Sequence, residues 1–233
     1  MSSVIESKGF CENNVIEIHH IKDIPFNTKA CINDGEAVYC VNGTWKRLRK
    51  SKEFIINPKK VGFFGKNKKD KTEYTVCFVD TRSLIKGAWG DSLEYDDPKI
   101  NGIRETIGVR AYFYIRLIDA LSVMKSGIIT DNLDSYSHQY VKDKVRALVG
   151  GIIKSKISAG LNENGIIVFQ ELASETSEEI RNALNESLMD KGIEISTFRF
   201  EYSENEEHAR KRNELNWETE KARTLNEIVP RKE

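Results

Sequence analysis

Tyr74-Thr-Val-Cys-Phe-Val-Asp-Thr-Arg-Ser-Leu-Ile-Lys-Gly-Ala-Trp-Gly90 is the stretch whose reading decides the fold. Tyr74 to Asp80 is apolar on both alternating faces, the pattern of a central strand covered from two sides. Asp80-Thr81-Arg82 closes that strand with a polar cluster. No histidine or second acid is placed with it, so its reading is a turn that holds the fold and not a catalytic group. Trp89, beside Gly87 and Gly90, reads as a loop anchor packing on the core.

The chain on the N-terminal side of this run is strand-like. Residues 1 to about 14 carry little pattern and predict a loose tail. Val15-Ile-Glu-Ile18 is a short strand, and Pro25 with Asn27 marks a turn. Glu36 to Val41 and Thr44 to Leu48 flank Asn42-Gly43, a strong hairpin signal. Glu53 to Asn57 is a further short strand before Pro58.

On the C-terminal side the periodicity changes. Ile107, Val109, Ala111, Phe113, Ile115 and Leu117 alternate with polar or amphipathic residues, which predicts a strand with one wet face. Asp119 begins a short helix that stops at Gly127. Asp131 is expected to cap a long helix to about Ala159, with Leu133, Tyr136, Tyr140, Val141, Val145, Leu148, Val149, Ile152 and Ile153 along one stripe. Gly150-Gly151 in its middle predicts a kink or a tight contact. Thr176-Ser-Glu-Glu179 reads as a capping box for a second helix ending at Gly192. Ile193 to Tyr202 returns as a strand, and Ser203-Glu-Asn-Glu206 as the cap of a charged helix to Val229.

This order predicts an α+β fold. A tail and first strand occupy 1–29, a β-rich half 30–101, an α/β half 102–203, and a charged helix with a weak coiled-coil seam 204–233. The order Asp80-Thr81-Arg82, Trp89-Gly90, then the alternating strand from Ile107 to Leu117, resembles the SPFH family, also called band 7 or the prohibitin-homology domain. The likeness is to its bacterial virion core protein-like branch, whose members read Val-Asn-Thr-Arg, a short insert, Trp-Gly and a similar strand. Where the family carries a glycine-arginine element, this chain has Ser51-Lys52-Glu53. The resemblance implies an SPFH-like domain that is not an enzyme and that forms ring- or patch-like homo-oligomers at membranes.

The composition narrows the alternatives. Lys plus Arg equals Asp plus Glu at 36 each, so there is no net field to favour nucleic acid. Cys11, Cys31, Cys40 and Cys77 are widely spaced, and reduced intracellular thiols are expected. His19-His20 with Cys11 and Cys31 matches no zinc spacing. Neither a metal nor a cofactor is expected, and no phosphate-binding, nucleophile-elbow or zincin motif occurs. The start shows no signal segment, which points to an intracellular, cytoplasmic protein, peripheral on the inner face of the membrane.

Two surfaces are candidates for function. Lys46, Arg47, Arg49, Lys50, Lys52, Lys59, Lys60, Lys66, Lys68, Lys69 and Lys71 crowd one region against Glu53 and Asp70. Lys46, Arg47, Arg49, Lys50, Lys66, Lys68, Lys69 and Lys71 are the expected contacts to an anionic membrane surface or a membrane-anchored partner. The plainer reading is a solvated hairpin whose edge is guarded by lysine. His208, Leu215, Ala222 and Val229 recur every seven residues, with Leu225 beside them, so Leu215, Ala222, Leu225 and Val229 are the expected self-association residues. The alternative to a scaffold is a soluble viral or phage structural component, or a cytoplasmic interaction adaptor.

Overall fold

A computed structural model describes residues 4–6, 10, 13–21, 29–31, 35–41, 43–48, 53–55, 74–96, 98, 104–130 and 133–204, together with 206, 209, 210, 213, 214, 217, 218 and 221. The class is α+β, with several sheets and a long helix. By internal contacts the chain forms two compact units. The first holds Met1–Gly87, Phe113–Val149 and Arg181–Phe198; the second holds Ala88–Tyr112, Gly150–Ile180 and Arg199–Glu233.

The first unit is built around the opening stretch. Strand β7 (Tyr74–Val79) lies between β2 (Asn14–Ile21) and β4 (Glu36–Val41), antiparallel to both, in the order β10-β2-β7-β4-β5. β5 is Thr44–Arg47, and β10 is Ser135–Ser137. β4 and β5 form the expected hairpin, with Val41 opposite Thr44 across the turn. A second sheet joins β1 (Val4–Glu6), β3 (Lys29–Cys31) and β6 (Glu53–Ile55).

Both faces of β7 are covered, as its sequence predicts. Tyr74, Val76 and Phe78 pack with Ala30, Ala37 and Leu48, with Ile5 and Ile21 against them. The odd positions Cys77 and Val79 are also buried, and the Cys77 Sγ lies 3.4 Å from the Met124 Sδ on α1 (Ala120–Lys125). Burial, reinforced by the negative charge of Glu17, pushes the Cys77 thiol far above its ordinary range, so it packs as an inert hydrophobe. The tail reading of the N-terminus is corrected by β1: Val4–Glu6 pairs in parallel with Lys29–Cys31. Three residues are too few to show periodicity, and only the partner strand makes them a strand.

A third sheet has the order β11-β9-β8, with β8 Ile85–Asp96, β9 Arg104–Leu117 and β11 Ile193–Glu204. The alternation expected in β9 extends along nearly its whole length, odd positions buried and most even positions exposed. Trp89 does not anchor a loop; it lies within strand β8. The glycines that suggested a loop are close approaches. Gly87 is covered by the Phe113 ring, whose Cδ2 would be 2.8 Å from a Cβ placed there.

The helices also depart from their expected bounds. Ser135–Ser137 is the short strand β10 paired to β2, and α2 runs His138–Glu171, starting later and ending later than expected. Leu133 is exposed and Tyr136 is a buried strand residue, so neither belongs to the helix stripe. The buried line instead follows Val141, Val145, Val149, Ile153, Ile157 and Leu161, a strict four-residue step. Gly150 leaves the helix unbroken. A Cβ on it would sit 2.9 Å from the Trp89 Nε1, so the close-contact reading holds and the kink reading does not. The non-helical residue is Gly165 (φ 71, ψ 167). Helix α3 begins at Ala173, which puts Thr176 inside it: the Thr176 N–H donates to the Leu172 carbonyl at 2.9 Å. Ser203 and Glu204 belong to β11, so Ser203 is not a helix cap either. Both boxes matched a spacing, but the neighbouring backbone was already committed to helix or strand.

The second unit buries Leu93, Tyr95, Ile107, Val109, Ile153, Ile157 and Leu161. Phe169 of α2 lies on Phe200 of β11 with ring centroids 5.5 Å apart. Lys154 bonds Asp91 at 2.8 Å, and the Asp96 N–H donates to the Asn162 side chain at 3.1 Å, tying α2 along β8.

Candidate interaction surfaces

The lysine-rich region begins on the edge strand β5. Alternation along a strand sends Lys46 and Arg47 to opposite faces. Lys46 is exposed, opposite Tyr39. Arg47 is not a bare surface cation: its guanidinium is paired with the Asp119 carboxylate. The same carboxylate caps α1 by accepting the Ser122 N–H at 2.8 Å, and Glu36 of β4 accepts the Ala120 N–H at 3.0 Å. Two acids thus satisfy first-turn donors of α1 and complement its dipole. Arg47 joins the basic hairpin to that cap, a structural duty that the sequence reading assigned to membrane contact. Arg49, Lys50, Lys66, Lys68, Lys69 and Lys71 lie outside the described residues.

Partial burial disfavours the charge on Asp119. The Ser122 N–H and the Arg47 guanidinium outweigh it and hold the carboxyl below its ordinary value. Asp80 follows the same pattern. Burial opposes its ionisation, but the Ser83 hydroxyl and the N–H groups of Arg82 (2.9 Å) and Ser83 (3.3 Å) lower it on balance. The expectation that Asp80-Thr81-Arg82 holds a turn is therefore met by Asp80 itself.

A group whose folded value is depressed contributes stability above its unfolded value, and that contribution is lost as the pH falls through the folded one. Unfolding by denaturant is expected to become easier as pH drops from neutrality through the carboxylate range. Asp80→Ala should cost about 2 kcal/mol at pH 7, since it strands the donors of the turn, and should flatten that acid dependence. An unchanged pH profile in this variant would remove Asp80 from the account.

At the other candidate surface, the residues described after β11 are 206, 209, 210, 213, 214, 217, 218 and 221, and each is helical. Arg210 and Glu214 pair at i,i+4 (3.6 Å), and the Lys221 ammonium lies 4.9 Å from the centroid of the exposed Trp217. These are contacts of a solvated face. The seam residues Leu215, Ala222, Leu225 and Val229 lie outside the described residues. Among the described residues no group of three His, Cys, Asp or Glu is gathered to hold a metal, and no helix is long and apolar enough to cross a membrane. The sequence reading missed the Arg47–Asp119–α1 link, because the partners are 72 positions apart and no local pattern connects them. Compared with known proteins, the chain matches no protein-family model and no curated relative.

Proposed function

We propose that this chain is a non-enzymatic SPFH-type scaffold that assembles with copies of itself and meets an anionic membrane surface or a membrane-anchored partner from the cytoplasmic side. The observation that carries this reading is the element order. A β-rich part with a central covered strand precedes the long one-sided strand β9, the short α1 and β10, the two longer helices α2 and α3 and the returning strand β11, and the described residues between 206 and 221 are helical. That is the order the resemblance implies for such a domain.

The mechanism is multivalent. One lysine-rich segment contributes only about 1 kcal/mol per basic residue near anionic lipid. Many segments held in one assembly bind with an avidity that none has alone. Because Arg47 is engaged with Asp119, the contact set reduces to Lys46, Arg49, Lys50, Lys66, Lys68, Lys69 and Lys71. Sedimentation with anionic liposomes tests this. Binding is expected at about 50 mM salt, to weaken strongly at about 500 mM, and to vanish when Lys66, Lys68, Lys69 and Lys71 are replaced by glutamate. Absence of binding at both salts would sink the membrane half of the proposal and leave the adaptor reading in its place.

A further inference from the structure

The rim of the first unit holds a cleft of about 660 Å³ that the basic hairpin and the charged helix leave unused. It lies between two strand edges. Among the described residues β10 covers β2 only along its first half, and the last bond on that side is from the Ile18 N–H to the Asp134 carbonyl at 2.7 Å. Past that point, β2 has β7 as its one neighbouring strand among the described residues, so His20 and Ile21 reach the cleft from a sheet edge. β1, on the opposite wall, pairs only with β3 among the described strands and is likewise an edge.

Uncovered strand edges invite a further strand, and folded proteins normally guard them with lysine or proline. The described lining of this cleft contains neither lysine nor arginine nor proline. It carries the exposed acids Glu6 and Asp134 instead, with Ile5 and Ile21 as apolar wall; the buried Glu17 lies 3.9 Å from His19, and His20 also lines the cleft. A cavity of this size is within the range of recognition sites, and paired edge strands suit main-chain recognition of an extended segment. The charge selects the side chains of that segment.

We propose that this cleft binds an extended basic peptide, which adds as a strand to the edge of β2 that no described strand covers and sets a lysine or arginine between Glu6 and Asp134. Backbone pairing would supply the affinity, and the carboxylates would select for positive charge. This recognition is of the opposite charge sense to the proposed membrane contact, so either can fail alone.

The test is a titration of the ¹⁵N-labelled full chain, followed by amide shifts, with three blocked peptides. The probe is Ser-Val-Lys-Val-Lys-Val-Ser; the controls carry glutamate for both lysines, or methylated nitrogens at the central residues. At about 50 mM salt the probe is expected to bind saturably below about 1 mM, shifting amides of Val4–Glu6 and Glu17–Ile21, with both controls weaker by about tenfold or more. A Glu6→Lys, Asp134→Lys double variant changes exposed positions only. It should keep the parent's unfolding midpoint and lose about tenfold in affinity for the probe. No saturable shift, equal binding of all three peptides, shifts centred elsewhere, or undiminished binding to the double variant would each overturn the proposal.

Discussion

Gly192→Ala is expected to destabilise the protein by about 3 kcal/mol, while Gly127→Ala costs about 1 kcal/mol. Both glycines have positive φ, +72° and +73° respectively, so the intrinsic penalty of a side chain there is similar. Their surroundings differ. A Cβ on Gly127 meets nothing within 4 Å. On Gly192 it would press into the Asp119 carbonyl oxygen and lie 3.0 Å from both the Ser122 Cβ and the Val123 nitrogen.

Relaxation is blocked because the Gly192 backbone is bonded on two sides. Its N–H donates to the Met189 carbonyl at 3.1 Å, closing the 3₁₀ turn, and its carbonyl accepts the Ile118 N–H at 2.8 Å. Moving the residue to relieve the clash would loosen the start of β11 and the N-terminus of α1 together. Urea denaturation of the two variants measures the difference. Equal losses would show that the tight approach at Gly192 contributes nothing.

The second large effect is at Phe113. This ring is 1% exposed, lies 6.5 Å from the Phe198 ring in a stacked arrangement, and fills the space that Gly87 leaves open. Phe113→Ala is expected to cost about 4 kcal/mol, the removed transfer energy plus the cavity left among rigid neighbours. Gly87→Ala should cost about 2 kcal/mol with Phe113 in place, because the ring must shift out of its packed position. In the double variant the added methyl enters the space the ring vacated, so the combined loss should fall short of the sum by about 1 kcal/mol. Additive losses would mean that glycine at 87 is not there to admit the ring.

These two glycines also show where the sequence was legible. Gly192 terminates a helical pattern in the usual way, and both its place and its role follow from the residues around it. Gly87 and Gly90, read locally, predict a loop, whereas they lie in a twelve-residue strand. The cause is a ring contributed by β9, and a local window cannot contain it. The same limit explains Thr176 and Ser203, whose capping-box spacing was overruled by continuous helix and strand. β7 and β9 were legible throughout because their burial follows their own residues: β7 is apolar on both faces and covered on both, and β9 alternates.

Of the candidate surfaces, Lys46 and Arg47 could be placed on β5 from the hairpin signal alone. The pairing of Arg47 with Asp119 could not, since it depends on how α1 meets the hairpin. The cleft beside β2 is not legible locally for a related reason: it is formed at the start of β10, where the residue pattern predicts the beginning of a helix.

Self-assembly is the central claim, and the molar mass of the full chain by light scattering over a wide concentration range tests it most directly. The account expects a discrete multiple of the chain mass, approached as concentration rises, and a smaller species when residues 204 to 233 are deleted. A monomer at every concentration, unchanged by that deletion, would contradict it.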